Sequence, residues 1–226
     1  MNVGFRVYKT IKRADPALIE RFRGIPTSNI NDMMNRLYNM NGSIRAINER
    51  PLLGSAITVK APLGDNLMFH HALDMARPGD VIVVDGGGCC DRSLGGEMML
   101  TYSAIKGIAG WVVDGALRDL DALRNGPLSV YCKAITPQGP YKNGPGEINV
   151  PICCGGVAVL PGDIIVGDCD GIVVIRQEDA PYIIERAEKK HAEELERLDR
   201  YYKIGLGTSH RDSYNRQLTG KGCDFL

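Results

Sequence analysis

Residues 93–119 read SLGGEMMLTYSAIKGIAGWVVDGALRD, and they continue a preceding run, VIVVDGGG at 81–88. Val81 to Asp85 and Gly110 to Asp114 are two apolar runs of one design. Each ends in Asp-Gly and feeds a loop. Between them Glu97 to Lys106 has helical composition, opened by Gly95-Gly96 and closed by Gly107. Strand, helix and strand at this spacing predict a parallel βαβ unit. Gly86-Gly87-Gly88 predict a tight turn where the first strand stops. Ligands of open α/β sheets gather at the carboxyl ends of the strands. The pattern therefore brings Asp85, Gly95-Gly96, Arg118 and Asp119 together. A helix N-terminus presents unpaired N–H groups to a carboxylate or phosphate. An arginine beside an aspartate adds a fixed positive fork and a hard oxygen ligand. Together they point to a small anionic substrate held beside a divalent metal.

Toward the N-terminus, PALIERFRG (16–24) predicts a short helix stopped by Gly24. A second helix is expected over about 28–40, with Ser28 as its cap and Asn31-Asp32 in its first turn. A strand follows at Leu53–Lys60, then a helix over 66–76 ended by Pro78-Gly79. His70 and His71 are adjacent on that helix and face different sides, so they do not make a joint metal site. Beyond Asp121 the character changes to short strands, about 128–134, 150–152, 157–159, 164–168 and 171–175. Tight turns between them predict a mostly antiparallel half, with a Gly- and Pro-rich loop at 138–146. Asp168-x-Asp170-Gly171 reads as a turn, because it lacks the spaced acidic ligands of a calcium loop. Residues 179–202 predict a helix with charge clusters on its exposed side. The expected organisation is one domain over 1–205 and a polar tail over 206–226, either disordered or wrapped on a neighbouring subunit.

Composition narrows the function classes. Lys+Arg and Asp+Glu both number 27, so formal net charge is zero and nothing favours nucleic acid or an anionic membrane. No apolar run has the length of a membrane span, and the N-terminus lacks the apolar core of a signal peptide. The expected location is the cytoplasm. Seven cysteines form no C-x-x-C or zinc-like spacing, and are expected to be reduced thiols packed as small hydrophobes.

An ordered set of motifs resembles one family. They are GDVIVVDGGG (79–88), GEM (96–98), G-x-x-G-x-V-V-D-G-x-x-R-D (107–119), GGVAV-x-PGD (155–163) and GD-x-DGIVVI (167–175). The set, over about residues 25–200, is similar to the RraA-like family. That family includes 4-hydroxy-4-methyl-2-oxoglutarate aldolases that also decarboxylate oxaloacetate, and regulators of ribonuclease E. The resemblance implies an α/β fold, a three-layer β/β/α sandwich of the swivelling-domain type with N- and C-terminal helices. It implies homotrimers or homohexamers with sites between subunits. By resemblance, Asp119 is the Mg²⁺ or Mn²⁺ ligand and Arg118 contacts the pyruvyl oxygen. Gly96, Glu97, Met98 and Met99 form the turn whose N–H groups take the substrate carboxylate. Glu97 falls near the metal waters, and Glu194, with Glu193 as competitor, is the carboxylate lent by a neighbour. The implied activity is a metal-dependent lyase that cleaves a 4-hydroxy-2-oxo dicarboxylic acid to pyruvate through an enolate. The alternatives are a non-catalytic regulator of an RNA-processing enzyme, or an enzyme of the same fold on another oxo or hydroxy acid. A methyltransferase is not expected, since no glycine-rich cofactor loop is followed by a ribose-binding acid.

Overall fold

Four parallel strands form the spine, and their side chains alternate between two packed layers. The structure is a computed structural model that describes residues 2–205 and 209–225. In chain order the elements are β1 (Phe5–Val7), α1 (Pro16–Glu20), α2 (Thr27–Met33), β2 (Arg45–Ala46), β3 (Leu52–Lys60), α3 (Leu67–Met75), β4 (Asp80–Ser93), α4 (Glu97–Ile105) and β5 (Gly110–Leu117). There follow α5 (Leu120–Asn125), β6 (Ser129–Ile135), β7 (Gly146–Ile148), β8 (Ile152–Cys154), β9 (Val157–Val159), β10 (Ile164–Asp168), β11 (Gly171–Ile175), α6 (Ala180–Ile204) and α7 (Ser209–Gly220). The main sheet runs β1-β7-β3-β4-β5-β6-β2, with β10 on β3 and β11 on β10; β8 and β9 make a separate hairpin. β3, β4, β5 and β6 run parallel in that order, so the expected βαβ unit through α4 is present and is flanked by two more, through α3 and through α5.

The pleat sorts the core. Ile57, Val59, Ile82, Val84, Trp111, Val113 and Val130 face α3 and α4. Their neighbours Ala56, Val81, Val83, Val112 and Tyr131 face the β8–β9 hairpin and one side of β10–β11. The other side of β10–β11 packs Ile164, Val166, Val173 and Ile175 on Phe22, Ile30 and the start of α6. These are the helix, sheet and sheet layers of a β/β/α sandwich, with α2 and the first turns of α6 outside them. In the helix-side layer Phe69 meets Trp111 edge-on, centroids 5.1 Å apart. Such a pair adds about 0.5–1.5 kcal/mol beyond its burial. The buried indole N–H donates to Ser103 Oγ at 3.1 Å.

Several expectations are corrected. Gly86–Gly88 do not end β4. Gly87 (φ +64°) and Gly88 (φ +71°) carry register shifts that let the strand run on to Ser93. α2 starts at Thr27 and ends at Met33, with Asn35 and Arg36 left-handed beyond it. Its cap is not Ser28. The carboxylate of Asp168, far along the chain, accepts from Thr27 N (2.9 Å) and Thr27 Oγ1 (2.7 Å). Asp32 sits late in α2 and pairs with Arg36 at 2.7 Å. Cys132 and Cys154 are buried as expected, but Cys90, Cys153, Cys169 and Cys223 are exposed. Burial pushes the Cys132 thiol up to about 12.

Contacts divide the chain into Met1–Ala187 and Glu188–Leu226, a division that falls inside α6. In the second unit, Lys190–Glu194 (3.0 Å) and Lys203–Asp199 (2.9 Å) are i,i+4 pairs. Residues 209–220, expected within an unstructured or wrapping tail, form α7.

Candidate active site

The βαβ unit brings the two halves of the predicted site into direct contact. Gly95 O accepts from Arg118 N at 3.0 Å, and Leu94 N donates to Ala116 O at 2.8 Å. This places Asp119, the first residue beyond the arginine, over the start of α4. Asp119 is left-handed (φ +62°), a conformation that aspartate tolerates better than most side chains. Its Oδ2 accepts from Glu97 N at 2.9 Å. Gly96, at the cap position of α4, supplies no side chain for this purpose. Asp119 therefore takes the first orphan N–H of the helix, and the carboxylate gains from the positive end of the dipole. Arg118 Nε is 3.6 Å from the same oxygen, an ion pair rather than a hydrogen bond.

Gly96 leaves the space that the Asp119 carboxylate fills, and its backbone does not itself call for glycine. A Cβ at Gly96 would lie 2.3 Å from Asp119 Oδ2 and 2.9 Å from Arg118 Cγ. Glu97 is exposed on the first turn, and Met98 is 83% exposed. Met99 is buried in the helix-side core, so only its backbone faces the turn.

Asp85 does not join this group. The pleat turns it to the face shared by Val81 and Val83, where it pairs with Lys60 at 3.1 Å and accepts from Gly87 N at 3.1 Å. Half-buried His70 lines a cavity with Met98, Met99 and Tyr102; burial first, then the Lys142 charge, holds its pKa below the usual value. Glu194 lies in the second unit, paired with Lys190. The loop expected at 138–146 also reaches the site, which sequence reasoning did not foresee. Ser93 N and Oγ both hold Gln138 O at 2.8 Å, and a Cβ at Gly139 would lie 3.4 Å from Arg118 Nη1.

The donor set suits a hard, water-rich ion. Asp119 keeps 40% of its side chain exposed, and no group of three or more His, Cys, Asp or Glu converges anywhere among the described residues. One carboxylate cannot make the closed three- or four-ligand shell of a protein zinc site, whereas Mg²⁺ keeps several waters on one or two carboxylates.

Fold and site together define an α/β protein with an arginine–aspartate pair locked to a helix N-terminus. Residues 27–174 match the family model RraA-like, described as Aldolase/RraA. The chain belongs to the RraA-like family. It is 42% identical over 81% of its length to a Halalkalibacterium halodurans protein, 88% of which is covered, that carries the provisional name 4-hydroxy-4-methyl-2-oxoglutarate aldolase. A Thermus thermophilus protein named 4-hydroxy-4-methyl-2-oxoglutarate aldolase is 39% identical over 49% of this chain and 68% of its own. Among solved structures, a Streptomyces coelicolor protein described as an unusual member of the RNase ES inhibitor RraA protein family aligns with TM-score 0.73 and 28% identity. That alignment covers 83% of this chain and 100% of that one. No helix among the described residues is long and apolar enough to cross a membrane.

Proposed function

We propose that the chain is a divalent-metal-dependent carbon–carbon lyase that cleaves a 4-hydroxy-2-oxo dicarboxylic acid, such as 4-hydroxy-4-methyl-2-oxoglutarate, to pyruvate. Oxaloacetate decarboxylation is the expected side activity, because both reactions leave the same pyruvate enolate. The observation that carries the reading is the Arg118–Asp119 pair fixed to the start of α4 by Glu97 N–H and Gly95 O. Relatives named as aldolases support it.

Asp119 would hold Mg²⁺ or Mn²⁺, which would supply Lewis-acid polarisation of the 2-oxo group. With Glu97 N–H taken by Asp119, the N–H groups of Met98 and Met99 would orient the substrate carboxylate. Arg118 sets a positive fork where enolate charge develops, an electrostatic term that needs no reorganisation at the moment of reaction. Glu97, and Glu194 from a neighbouring copy, are our candidates for ordering water beside Asp119. A Schiff-base route lacks support from Lys106, whose Nζ donates to Leu73 O (2.7 Å) and Asp74 O (2.6 Å). The protein in this reading is a cytoplasmic homotrimer or homohexamer.

The test is pyruvate release from both substrates with Mg²⁺ or Mn²⁺, then with EDTA, in wild type and Asp119→Asn. Asparagine tolerates the left-handed backbone at 119, so the variant removes the charge and keeps the fold. Activity lost with chelator and with the variant supports the reading. Metal-loaded, folded protein that releases no pyruvate overturns it. Inhibition of an RNA-processing enzyme, the role for which the Streptomyces relative's family is named, then becomes the reading to test next.

A further inference from the structure

Arg118 is a long side chain with nearly half its surface exposed, and its nearest anion is 3.6 Å away. That contact alone does not fix a guanidinium, which carries about 2 kcal/mol of rotamer entropy. Its stem passes Gly96, and its tip lies beside Gly139, where an added Cβ would stand 3.4 Å from Nη1. What fixes Gly139 is a second arginine. Arg92 Nη1 donates to Gly139 O at 2.6 Å, and Nη2 donates to Tyr141 Oη at 3.1 Å. The Arg92 guanidinium also stacks on the Tyr141 ring, 4.0 Å from its centroid. The Gln138 amide, turned so that its oxygen meets a donor, accepts from Arg92 Nη2 at 2.6 Å. The stem of Arg92 crosses Gly64, where a Cβ would come within 2.6 Å of its Cδ and where φ is +70°.

The loop has separate anchors on both sides of this grip. Ser93 holds Gln138 O. Gly64 O takes Tyr141 N, Tyr141 O takes Asn66 N, and the Asp65 carboxylate takes Asn143 N (2.6 Å) and Gly144 N (3.0 Å). Losing Arg92 therefore leaves the loop tethered but removes the hydrogen bond to Gly139, the loop residue beside the Arg118 guanidinium.

We propose that Arg92 is a positioning residue for Arg118, holding the Gly139 backbone as a fixed wall against that guanidinium. This rests on the reading of Arg118 as the group that faces the substrate oxo oxygen. A misplacement of about 1 Å at a reacting group can cost about 100-fold in rate.

Two readouts test it. In full-length Arg92→Ala, modification of Arg118 by phenylglyoxal, followed by peptide mass spectrometry, should quicken several-fold over wild type. The kcat/KM for pyruvate release should fall about 10- to 100-fold, the range set by loss of positioning. Free guanidinium ion at non-denaturing concentration should restore part of it. Arg92→Lys keeps the stem over Gly64, serves where the alanine variant does not fold, and should show the same two changes at smaller size. An Arg118 modification rate equal to wild type in a folded Arg92 variant overturns the proposal. Wild type that releases no pyruvate refutes the aldolase reading instead, and the phenylglyoxal rates still decide whether Arg92 positions Arg118.

Discussion

Gly96→Ala is the sharpest probe of the site, because its backbone asks nothing of glycine. Gly96 has φ −166°, extended backbone that alanine adopts freely. The effect of the added methyl is therefore purely steric. It would stand 2.3 Å from Asp119 Oδ2 and 3.2 Å from Asp119 Cγ. Ordinary contact between such atoms is about 3.5 Å, so the carboxylate must retreat by about 1 Å. That move breaks the 2.9 Å bond from Glu97 N–H. Hydrogen bonds to charged groups contribute about 1.5–3 kcal/mol, and exposure of Asp119 puts this one at the low end. The melting temperature should fall by about 3–6 °C for a chain of this size. Pyruvate release should fall further, by about 100-fold, because metal ligand and arginine move together. Gly95→Ala is the control: its methyl would meet Leu117 and Phe69 at 3.3 Å and Trp111 at 3.4 Å, all in the core. It should lower stability while activity per folded molecule persists. Gly96→Ala with activity within twofold of wild type would refute the argument that Asp119 must sit where it does.

Two further outcomes follow from groups remote from the site. Asp168→Ala removes the acceptor of Thr27 N, Thr27 Oγ1 and Asp170 N, and with it the cap of α2. The loss should be about 1–2 kcal/mol by calorimetry, with pyruvate release at room temperature unchanged. Burial pushes the Asp163 carboxyl up to about 6, despite the opposing Arg176 partner. A carboxyl raised above its unfolded value of about 3.9 binds more protons folded than unfolded between those two pH values. Its contribution to stability is thus full below about pH 4 and is lost as pH rises to about 6, at up to about 1.4 kcal/mol per unit. Urea unfolding of wild type and Asp163→Asn at pH 4, 5 and 6 should show that slope in the difference; a flat difference would contradict it.

The parallel βαβ core was legible because consecutive elements carry it. β4, α4 and β5 are neighbours in sequence, and each run is long enough for its pattern to speak. The same adjacency made Gly96, Arg118 and Asp119 readable as one group. What was not legible depended on distant partners or on length. Gly86–Gly88 look alike whether they turn a chain or bulge a strand, and only pairing with β5 decides. α5 is six residues long, too short to show a helical period. The α2 cap is supplied by Asp168, which no local rule at residues 26–28 can name. The wall at 138–145 rests on Asp65, Arg92 and Ser93, drawn from two separate segments. Asp85 stands at the right height along its strand but on the other face, and height alone does not bring a side chain to a site.

The pairing of β3 bears on how the chain assembles during synthesis. β4 runs beside most of β3, while β10 takes its first half and β7 its end. The β3–β4 and β4–β5 pairs can form soon after their strands leave the ribosome. The remaining edge of β3 must wait for residues 146–148 and 164–167. Leu53 meets Val166 across a loop of about 110 residues, an entropic cost that grows only slowly with length but delays the contact. For that interval the nascent protein carries an open strand flanked by a finished parallel sheet, and an open edge is a template for another chain. The step that ends this exposure is arrival of the β10–β11 hairpin, which closes the edge of β3 and brings the side chains for two core layers at once.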